Sequence, residues 1–528
     1  MGSTSQEFRR FKNALEQRSE NSKQVGFYWI EEVLRTCHVG GAEAHVRTLV
    51  ENILDSAKLK KVDYADIRVV RRQWEEIEVK NGNVEALTHD EDLGFGIRVL
   101  STGAWGFACS SKVNQREMET VLRRALNIAR ASSRTTKEKS FFHSARPVVD
   151  RYQTAVKMDP FEVSPESKIS LLLQADEVIR RNKKVKISEA FMGLYRTEKS
   201  FASTEGSSIK QEIVECGAGI SATAIEGEDV QVRSYPNSFR GNFATQGYEW
   251  IEGLALTQHA ERVADEAEQL LSAKPCPSKV TTLILDSSQV ALQVHESIGH
   301  PIELDRILGT EASYAGTSFL KPEMVGYFRY GSDLVNVTAD ATFPGGLGTF
   351  GYDDEGIRAR RVPILSQGIL VNLLTSRETA HHLGKESNGT MRADGWNRIP
   401  LIRMTNINLE PGEWALERII ADTEEGLFLT TNRSWSIDDK RINFQFGTEM
   451  GREIKKGKLG EMVKNSTYTG ITPQFWNSCD AVANRDHWQM WGTPNCGKGE
   501  PGQVAHVGHG AAPARFRNVQ VGVMKGSI

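Results

Sequence analysis

The chain has 528 residues, which is too long for a single hydrophobic core, so we expect two or more domains. Hydrophobic residues make up 39% and charged residues 25% of the chain, a composition typical of soluble globular proteins. The 65 basic and 68 acidic residues nearly cancel, so charge gives no reason to expect nucleic acid or an anionic membrane as a partner.

The cysteines and the N-terminus indicate the compartment. The six cysteines are scattered and form no Cys-x-x-Cys pair, which argues against a disulfide framework and favours a reducing environment. Residues 1–24 are polar, and the apolar stretch after them is too short for a signal peptide. No apolar run approaches the roughly 18 residues of a membrane span. We therefore predict a cytoplasmic protein that does not enter a membrane.

In chain order, residues 1–41 predict a polar N-terminal extension and residues 42–275 an N-terminal α+β domain. Helix-spaced apolar residues alternate there with short strand patterns. The dipeptides Asn81-Gly82 and Thr102-Gly103 are typical of hairpin turns. A pass of strands followed by a helix occurs twice, which indicates an internal duplication. The predicted helices cover residues 42–57, 115–131, 167–181 and 247–273.

Residues 276–528 predict a second, β-rich domain. A proline-containing segment at 273–278 marks the boundary near residue 275. A buried-looking strand at 281–285 precedes a helix at 287–299, and short strands then alternate with Gly-rich loops. The predicted fold class is therefore α+β. It combines an N-terminal mixed α/β domain, with an antiparallel sheet and long helices, and a C-terminal β-rich domain whose first helix carries a histidine motif.

This motif, His295-Glu296-Ser297-Ile298-Gly299-His300, combines two imidazoles with a carboxylate. These groups can bind a divalent metal and supply a general base, although a solvated helix face beside a core histidine is the plain alternative. Residues five apart differ by about 140° on a regular α-helix, so both imidazoles reach one ion only if the helix widens or ends. Gly299 and Pro301 permit this, and we predict a π-like turn or a helix terminus at residues 298–300.

A catalytic metal site usually needs a third protein ligand. Cys496 is the strongest candidate because it lies in a Gly-rich loop that allows close approach of the backbone, and Lys498 could favour its thiolate. Glu296 would point to the open position of the ion and act as general base. The candidates for the third ligand are Glu303, Cys479, Cys496, His506 and His509.

Further ordered blocks accompany the histidine motif. Together with residues 295–305 they make the chain similar to the TldD/PmbA family of metallopeptidases, in particular to the metal-bearing TldD type. The resemblance covers about residues 62–523. The blocks lie at residues 94–96, 103–107, 314–318, 353–356, 403–406, 472–480 and 496–498.

The resemblance implies a zinc-dependent peptidase with one zinc ion per chain. Its metal ligands would be His295, His300 and Cys496, and its catalytic general base Glu296, which assists attack by metal-activated water. It also implies a dimer that encloses a cavity, either a homodimer or a heterodimer with a PmbA-like subunit. The implied substrates are unfolded peptides and small or modified peptides.

The alternative function is a peptide-binding or chaperone-like subunit in which the metal is structural or absent. Glu296 separates the two, because a structural zinc site needs no general base and closes its fourth position with a protein ligand. Three features have open roles. Residues 353–356 could bind a cation or a peptide amine, or form a solvated turn. Arg403 could hold a substrate carboxylate or a developing oxyanion, or form an internal ion pair. A strand at 427–431 could offer an edge to an extended peptide.

Overall fold

The computed structural model describes residues 39–136, 139–499 and 501–522. Residues 1–38 of the predicted N-terminal extension therefore lie outside the described residues. No helix in the described part of the chain is long and apolar enough to cross a membrane. The first large sheet takes its strands from residues 64–244 and the second from residues 274–521, so the structure is mixed α and β as predicted.

Within residues 39–272, the described residues form one eight-stranded sheet and five helices. The strands follow the order β3-β2-β1-β5-β6-β4, and β7 and β8 also pair with β6. The meanders β1–β3 and β5–β7 meet at the antiparallel pair β1–β5, as a duplicated unit would. The elements are α1 (Val39–Leu59), β1 (Tyr64–Lys80), β2 (Asn83–Ser101), β3 (Ala104–Ser110), α2 (Gln115–Ser132), β4 (Val149–Gln153), α3 (Pro165–Arg180), β5 (Val185–Ser203), β6 (Ser208–Glu226), β7 (Asp229–Tyr235), β8 (Asn242–Ala244), α4 (Glu249–Gly253) and α5 (Leu256–Ser272).

The first two hairpins confirm the predicted turns, but their strands are longer than predicted. Asn81 and Gly82 both have positive φ, 49° and 83°, as the two-residue hairpin turn requires. The prediction of short strands is wrong, since β1 has 17 residues and β2 has 19. Charged residues that interrupt the apolar pattern pair across strands instead of ending them. Arg71 Nε, for example, lies 2.6 Å from the Glu91 carboxylate.

Two pairs of helices cover this sheet. Helices α1 and α2 pack over β1, β2 and β3, whereas α3 and α5 pack over β5, β6 and β7. The predicted single helix at 247–273 is wrong because the helix breaks between α4 and α5 at Ala255, whose φ is +49°. The Tyr235 hydroxyl donates a hydrogen bond to the Leu254 carbonyl at 3.1 Å, which satisfies the broken end.

The C-terminal half is β-rich, as predicted. Its main sheet has the order β17-β10-β24-β20-β18-β19-β9, and β17 also pairs with β18, so five strands form a closed ring. The strands are β9 (Lys274–Pro275), β10 (Lys279–Leu285), β11 (Val337–Asp340), β12 (Arg361–Ser366), β13 (Ile369–Leu370), β14 (Met391–Arg392), β15 (Leu401–Ile402), β16 (Ile407–Leu409), β17 (Glu425–Ile437), β18 (Asn443–Lys455), β19 (Lys458–Lys464), β20 (Ser466–Ile471), β21 (Cys479–Val482), β22 (Gln489–Lys498), β23 (Gln503–Ala511) and β24 (Ala514–Val521).

Short helices connect these strands, and one of them carries the histidine motif. Helix α6 follows β10 directly and is buried along its whole length, so its far end lies inside the C-terminal core. The helices are α6 (Ser287–Val294), a π-helix (His295–Gly299), α7 (Leu304–Ile307), α8 (Leu416–Ala421), α9 (Thr472–Asn477) and 3-10 turns at Pro322–Met324, Ala380–Leu383 and Arg485–His487.

The acidic turn at residues 353–356 ties the two halves together. Asp354 forms ion pairs with Arg68, at 3.3 Å, and with Lys199, both from the N-terminal sheet. Glu355 lies 3.2 Å from Arg98 of the same sheet. The carboxylates are buried, so the turn is neither solvated nor a cation site. The sequence could not show this because the paired cations lie more than 150 residues away.

Candidate metal centre

The histidine motif forms a π-helix where α6 ends. The N-terminal end of α6 is set by Asp286, whose carboxylate accepts a hydrogen bond from the Gln289 N–H at 2.9 Å. The π-helix spans His295–Gly299, and the His300 N–H donates to the His295 carbonyl at 3.1 Å. This i+5 bond widens the turn, and the two imidazole centroids lie 4.9 Å apart. The predicted π-like turn is confirmed, although it begins at His295 rather than at residue 298.

The hairpin of β22 and β23 brings the cysteine to this turn. The donor atoms of His295, His300 and Cys496 all lie within 4.8 Å of one another, and all three residues are buried. The Cys496 Sγ is 3.9 Å from the His300 Nε2. Among the residues that the structure describes, no fourth His, Cys, Asp or Glu joins this group. Two imidazoles and a thiolate fit a zinc ion with an open position.

Hydrogen bonds orient the imidazole of His295. The Ile407 carbonyl can only accept, so His509 carries its proton on Nδ1, 3.2 Å away. Burial lowers the pKa of His509 well below its usual value, so the ring is neutral and its Nε2 accepts. That Nε2 lies 2.7 Å from the Nδ1 of His295, which therefore donates. The Nε2 of His295 keeps its lone pair for a metal ion.

A carboxylate orients the second imidazole. The Nδ1 of His300 donates to the Glu303 carboxylate at 3.1 Å, so its Nε2 also keeps a free lone pair. Burial lowers the pKa of both His295 and His300, and both are neutral at pH 7. Neutral imidazole is the form that binds metal ions. Glu303 and His509, which the sequence offered as ligands, lie behind the two imidazoles.

Cys496 is poised to be a thiolate. Burial alone would raise the pKa of its thiol, but the buried Arg403 guanidinium lowers it below the usual value. Arg403 is buried, and its guanidinium donates to the carbonyl of Cys496 and, at 3.1 Å, to that of Gln503. Arg403 thus contacts both strands of the hairpin that carries the cysteine. It forms no ion pair with a described residue, and its binding of an anionic substrate group stays a prediction.

Lys498 does not support the thiolate, contrary to the sequence-based expectation. Its ammonium is fully buried among three carboxylates, at 2.7 Å from Asp305, 3.4 Å from Glu303 and 3.5 Å from Glu311. Arg306 lies 3.3 Å from Glu303 in the same cluster. The cluster holds Glu303 in place behind His300 and joins the end of β22 to helix α7. The predicted Gly-rich loop around Cys496 is wrong, because these residues pair with β23 as a strand.

A cleft of about 380 Å³ opens onto these three side chains. Glu296 lines it, together with the end of β17 at Trp435 and Ile437 and with Asn495 of β22. Arg441 also lines the cleft, and its Nη1 lies 3.0 Å from the Glu296 Oε2. The cleft therefore combines a donor set for zinc, a carboxylate and a guanidinium, which are components of a hydrolytic site.

Three models of the PmbA/TldA metallopeptidase family match the chain. Domain 1 matches residues 65–129, the central domain matches residues 159–271, and the C-terminal domain matches residues 278–523. The chain belongs to the TldD/PmbA metallopeptidase family.

Relatives along nearly the whole chain agree with this. A metalloprotease of Methanocaldococcus jannaschii is 31% identical over 467 residues, which cover 88% of this chain and 99% of that protein. A zinc metalloprotease TldD homolog of Saccharolobus solfataricus is 23% identical, over 87% of this chain and 96% of that protein. The structure of TldE from Thermococcus kodakarensis has a TM-score of 0.72 at 16% identity, covers 90% of this chain and 100% of that one, and shows the shared fold.

Two of the candidate ligands lie elsewhere in this TldD/PmbA protein. His506 and His509 are three positions apart on β23 and therefore face opposite sides of the strand. His506 contacts Glu215 of the N-terminal sheet at 2.8 Å. Cys479 is buried in the core, and burial raises the pKa of its thiol to about 12. Sequence reasoning missed Arg441, which lies in a polar turn whose local pattern carries no signal of function.

Proposed function

We propose that this TldD/PmbA protein is a zinc peptidase of the TldD type, with one zinc ion per chain. Its ligands are His295, His300 and Cys496. One observation supports a catalytic rather than a structural metal. The three donors have no fourth protein ligand among the described residues, and Glu296 lines the cleft beside them.

The chain supplies proton transfer and orientation. A zinc ion held by His295, His300 and Cys496 would polarise the peptide carbonyl and lower the pKa of a water molecule to about 7. Glu296 accepts one proton from the attacking water and later returns it to the leaving nitrogen. Glu303 and His509 keep the two imidazoles in the tautomer that binds metal.

Extended peptides are the substrates that the cleft favours. The predicted edge at 427–431 is wrong at its first three residues, since 427–429 pair with both β10 and β18. Past a bulge, residues 434–437 pair with β18, and no other strand of the described chain pairs with them. Trp435 and Ile437 of this stretch line the cleft. An unfolded, small or modified peptide can pair with the free backbone groups of residues 434–437, which a folded protein cannot reach.

The assembly and the compartment belong to the same proposal. We propose a dimer with an enclosed cavity, either a homodimer or a heterodimer with a PmbA-like subunit, and a cytoplasmic location. We also propose that the chain divides into an N-terminal extension (residues 1–41), an N-terminal α+β domain (42–275) and a C-terminal metallopeptidase domain (276–528). A chamber of this kind would exclude folded proteins by size, which suits a peptidase in the cytoplasm.

Glu296→Gln tests the function. We expect wild type and variant to bind zinc equally and the variant to lose cleavage of a fluorescence-quenched, unstructured peptide. Glu386→Gln, the same change at an exposed position, should cleave normally. Both forms are assayed alone and with a PmbA-like subunit. Zinc binding without wild-type cleavage in either condition would favour the peptide-binding alternative.

A further inference from the structure

We propose that Arg441 stabilises the oxyanion that forms at the scissile carbonyl, an inference that rests on the proposed peptidase function. Arg441 lies in the turn between β17 and β18, and its guanidinium enters the cleft. Among the described residues that line this cleft, it is the only Lys or Arg. Its Nη1 is 3.0 Å from Glu296, so the cation lies at the reacting centre rather than at the rim.

The guanidinium has donors to spare. It carries five N–H groups, and its hydrogen bond to Glu296 uses one of them. Its Nε is buried and has no hydrogen-bond partner. A buried donor without an acceptor costs free energy and calls for an explanation, and a bound ligand is one. An anionic oxygen in the cleft would do so.

The backbone of Arg441 is held in an unfavourable conformation. Its φ is +64°, in the left-handed region that residues with a Cβ seldom adopt. The Asp438 carboxylate accepts hydrogen bonds from the N–H groups of Ile442, at 2.8 Å, and Asn443, at 3.1 Å, and so closes the turn. The Thr472 hydroxyl donates to the Arg441 carbonyl at 2.8 Å.

A second sequence block holds the same turn from the other side. The Thr317 N–H donates to the Asp439 carbonyl at 2.9 Å, and the Phe319 N–H donates to the Lys440 carbonyl at 3.0 Å. Gly316 packs so closely that a Cβ there would lie 2.4 Å from the Asp439 carbonyl oxygen. Residues 314–318 and 472–480, blocks whose purpose the sequence left open, thus both fix the position of Arg441. Strain maintained in this way is typical of functional sites.

Peptide hydrolysis places a negative charge on the carbonyl oxygen, and a cation beside that oxygen adds to its stabilisation. Water adds to the peptide carbon, one of its protons passes to Glu296, and the carbonyl oxygen becomes negatively charged. When the C–N bond breaks, the carbonyl re-forms and the proton moves from Glu296 to the nitrogen, leaving a carboxylic acid and an amine. A guanidinium donor aimed at that oxygen stabilises the transition state more than the bound peptide.

Two other roles for Arg441 are distinguishable from this one. It could bind the terminal carboxylate of a substrate, in which case its removal would affect peptides with a free C-terminus and spare amidated ones. It could serve only to keep Glu296 ionised. Its loss would then shift the acidic limb of the pH profile, and activity would recover at higher pH.

The test compares wild type, Arg441→Gln and Arg441→Lys, with Lys440→Gln as the matched control at the exposed neighbouring position. Cleavage of one unstructured peptide, with a free and with an amidated C-terminus, is followed across pH. Zinc content is measured in each protein. Calorimetry measures binding of a phosphinic peptide, which carries a tetrahedral anion, and of the matching ground-state peptide to the Glu296→Gln background.

We expect Arg441→Gln to lower kcat by about 10²–10³ for both peptides at every pH, with KM and zinc content unchanged. Phosphinic-peptide affinity should fall by a similar factor while ground-state affinity is unchanged, and Arg441→Lys should recover part of both. A loss confined to free C-termini, a loss that vanishes at high pH, or unchanged kcat and phosphinate binding would overturn the role of Arg441 alone. Absence of cleavage by wild type would instead refute the peptidase function.

Discussion

Glu303 is the residue at which the role of the buried charge cluster in metal binding can be measured. It is 0% exposed, so no solvent can replace it as the acceptor for the His300 Nδ1–H. Loss of such a partner weakens metal binding by about 10–100-fold, or roughly 1.4–2.7 kcal/mol. Glu303→Gln retains an oxygen that can accept this bond, so we expect about tenfold. Glu303→Leu removes the acceptor, so we expect about 100-fold.

The cluster predicts how stability changes at the same time. Lys498 keeps Asp305 at 2.7 Å, and Arg306 keeps Glu311 at 3.5 Å, so neither cation is left alone when Glu303 is neutral. We therefore expect the metal-free variants to lose only about 1–3 kcal/mol in free energy of unfolding. This loss is below the cost of a buried charge without a partner.

The assay is competition for zinc between the metal-free protein and a chromophoric chelator, with urea unfolding of the same samples. Glu424→Gln, at an exposed position, is the control and should bind zinc as wild type does. Zinc affinity of Glu303→Leu within threefold of wild type would refute the orienting role of this carboxylate. So would an equal loss in the control.

Three further outcomes are expected. In metal-free protein near pH 8, Cys496 should react with iodoacetamide faster than Cys479, and zinc should protect Cys496. Mass spectrometry of timed samples measures the two rates. Equal rates would contradict the lowered pKa of Cys496. Burial and the neighbouring Glu355 raise the pKa of Asp353 to about 7. The stabilisation that this proton gives the folded state is therefore complete below the unfolded-state pKa of 3.8 and is lost as the pH rises through 7. The free energy of unfolding should fall over this window, and less steeply in Asp353→Asn; identical slopes in urea titrations would exclude this carboxyl as the cause. Gly316→Ala, at φ +77° and with a Cβ 2.4 Å from backbone, should cost about 1–3 kcal/mol and lower kcat, whereas full activity would show that the loop after β17 tolerates displacement.

The local features of this protein were determined by the sequence alone. The hairpin turn at Asn81-Gly82 follows from residues that tolerate positive φ. The π-helix follows from two histidines five apart beside Gly299 and Pro301. Such features depend on neighbours along the chain, so their pattern can be read without a fold. The family blocks extended this reading to the class of enzyme.

Only the tertiary structure decided which distant side chains meet. Cys496 lies 196 residues after His300, and the hairpin that delivers it could equally have presented His509, which instead lies behind His295. Arg441 reaches Glu296 across 145 residues. Spacing along the chain carries no information on such contacts, because sheet order and strand register determine them. The division of roles among ligand, orienting partner and cation therefore arises from the packing of the C-terminal sheets.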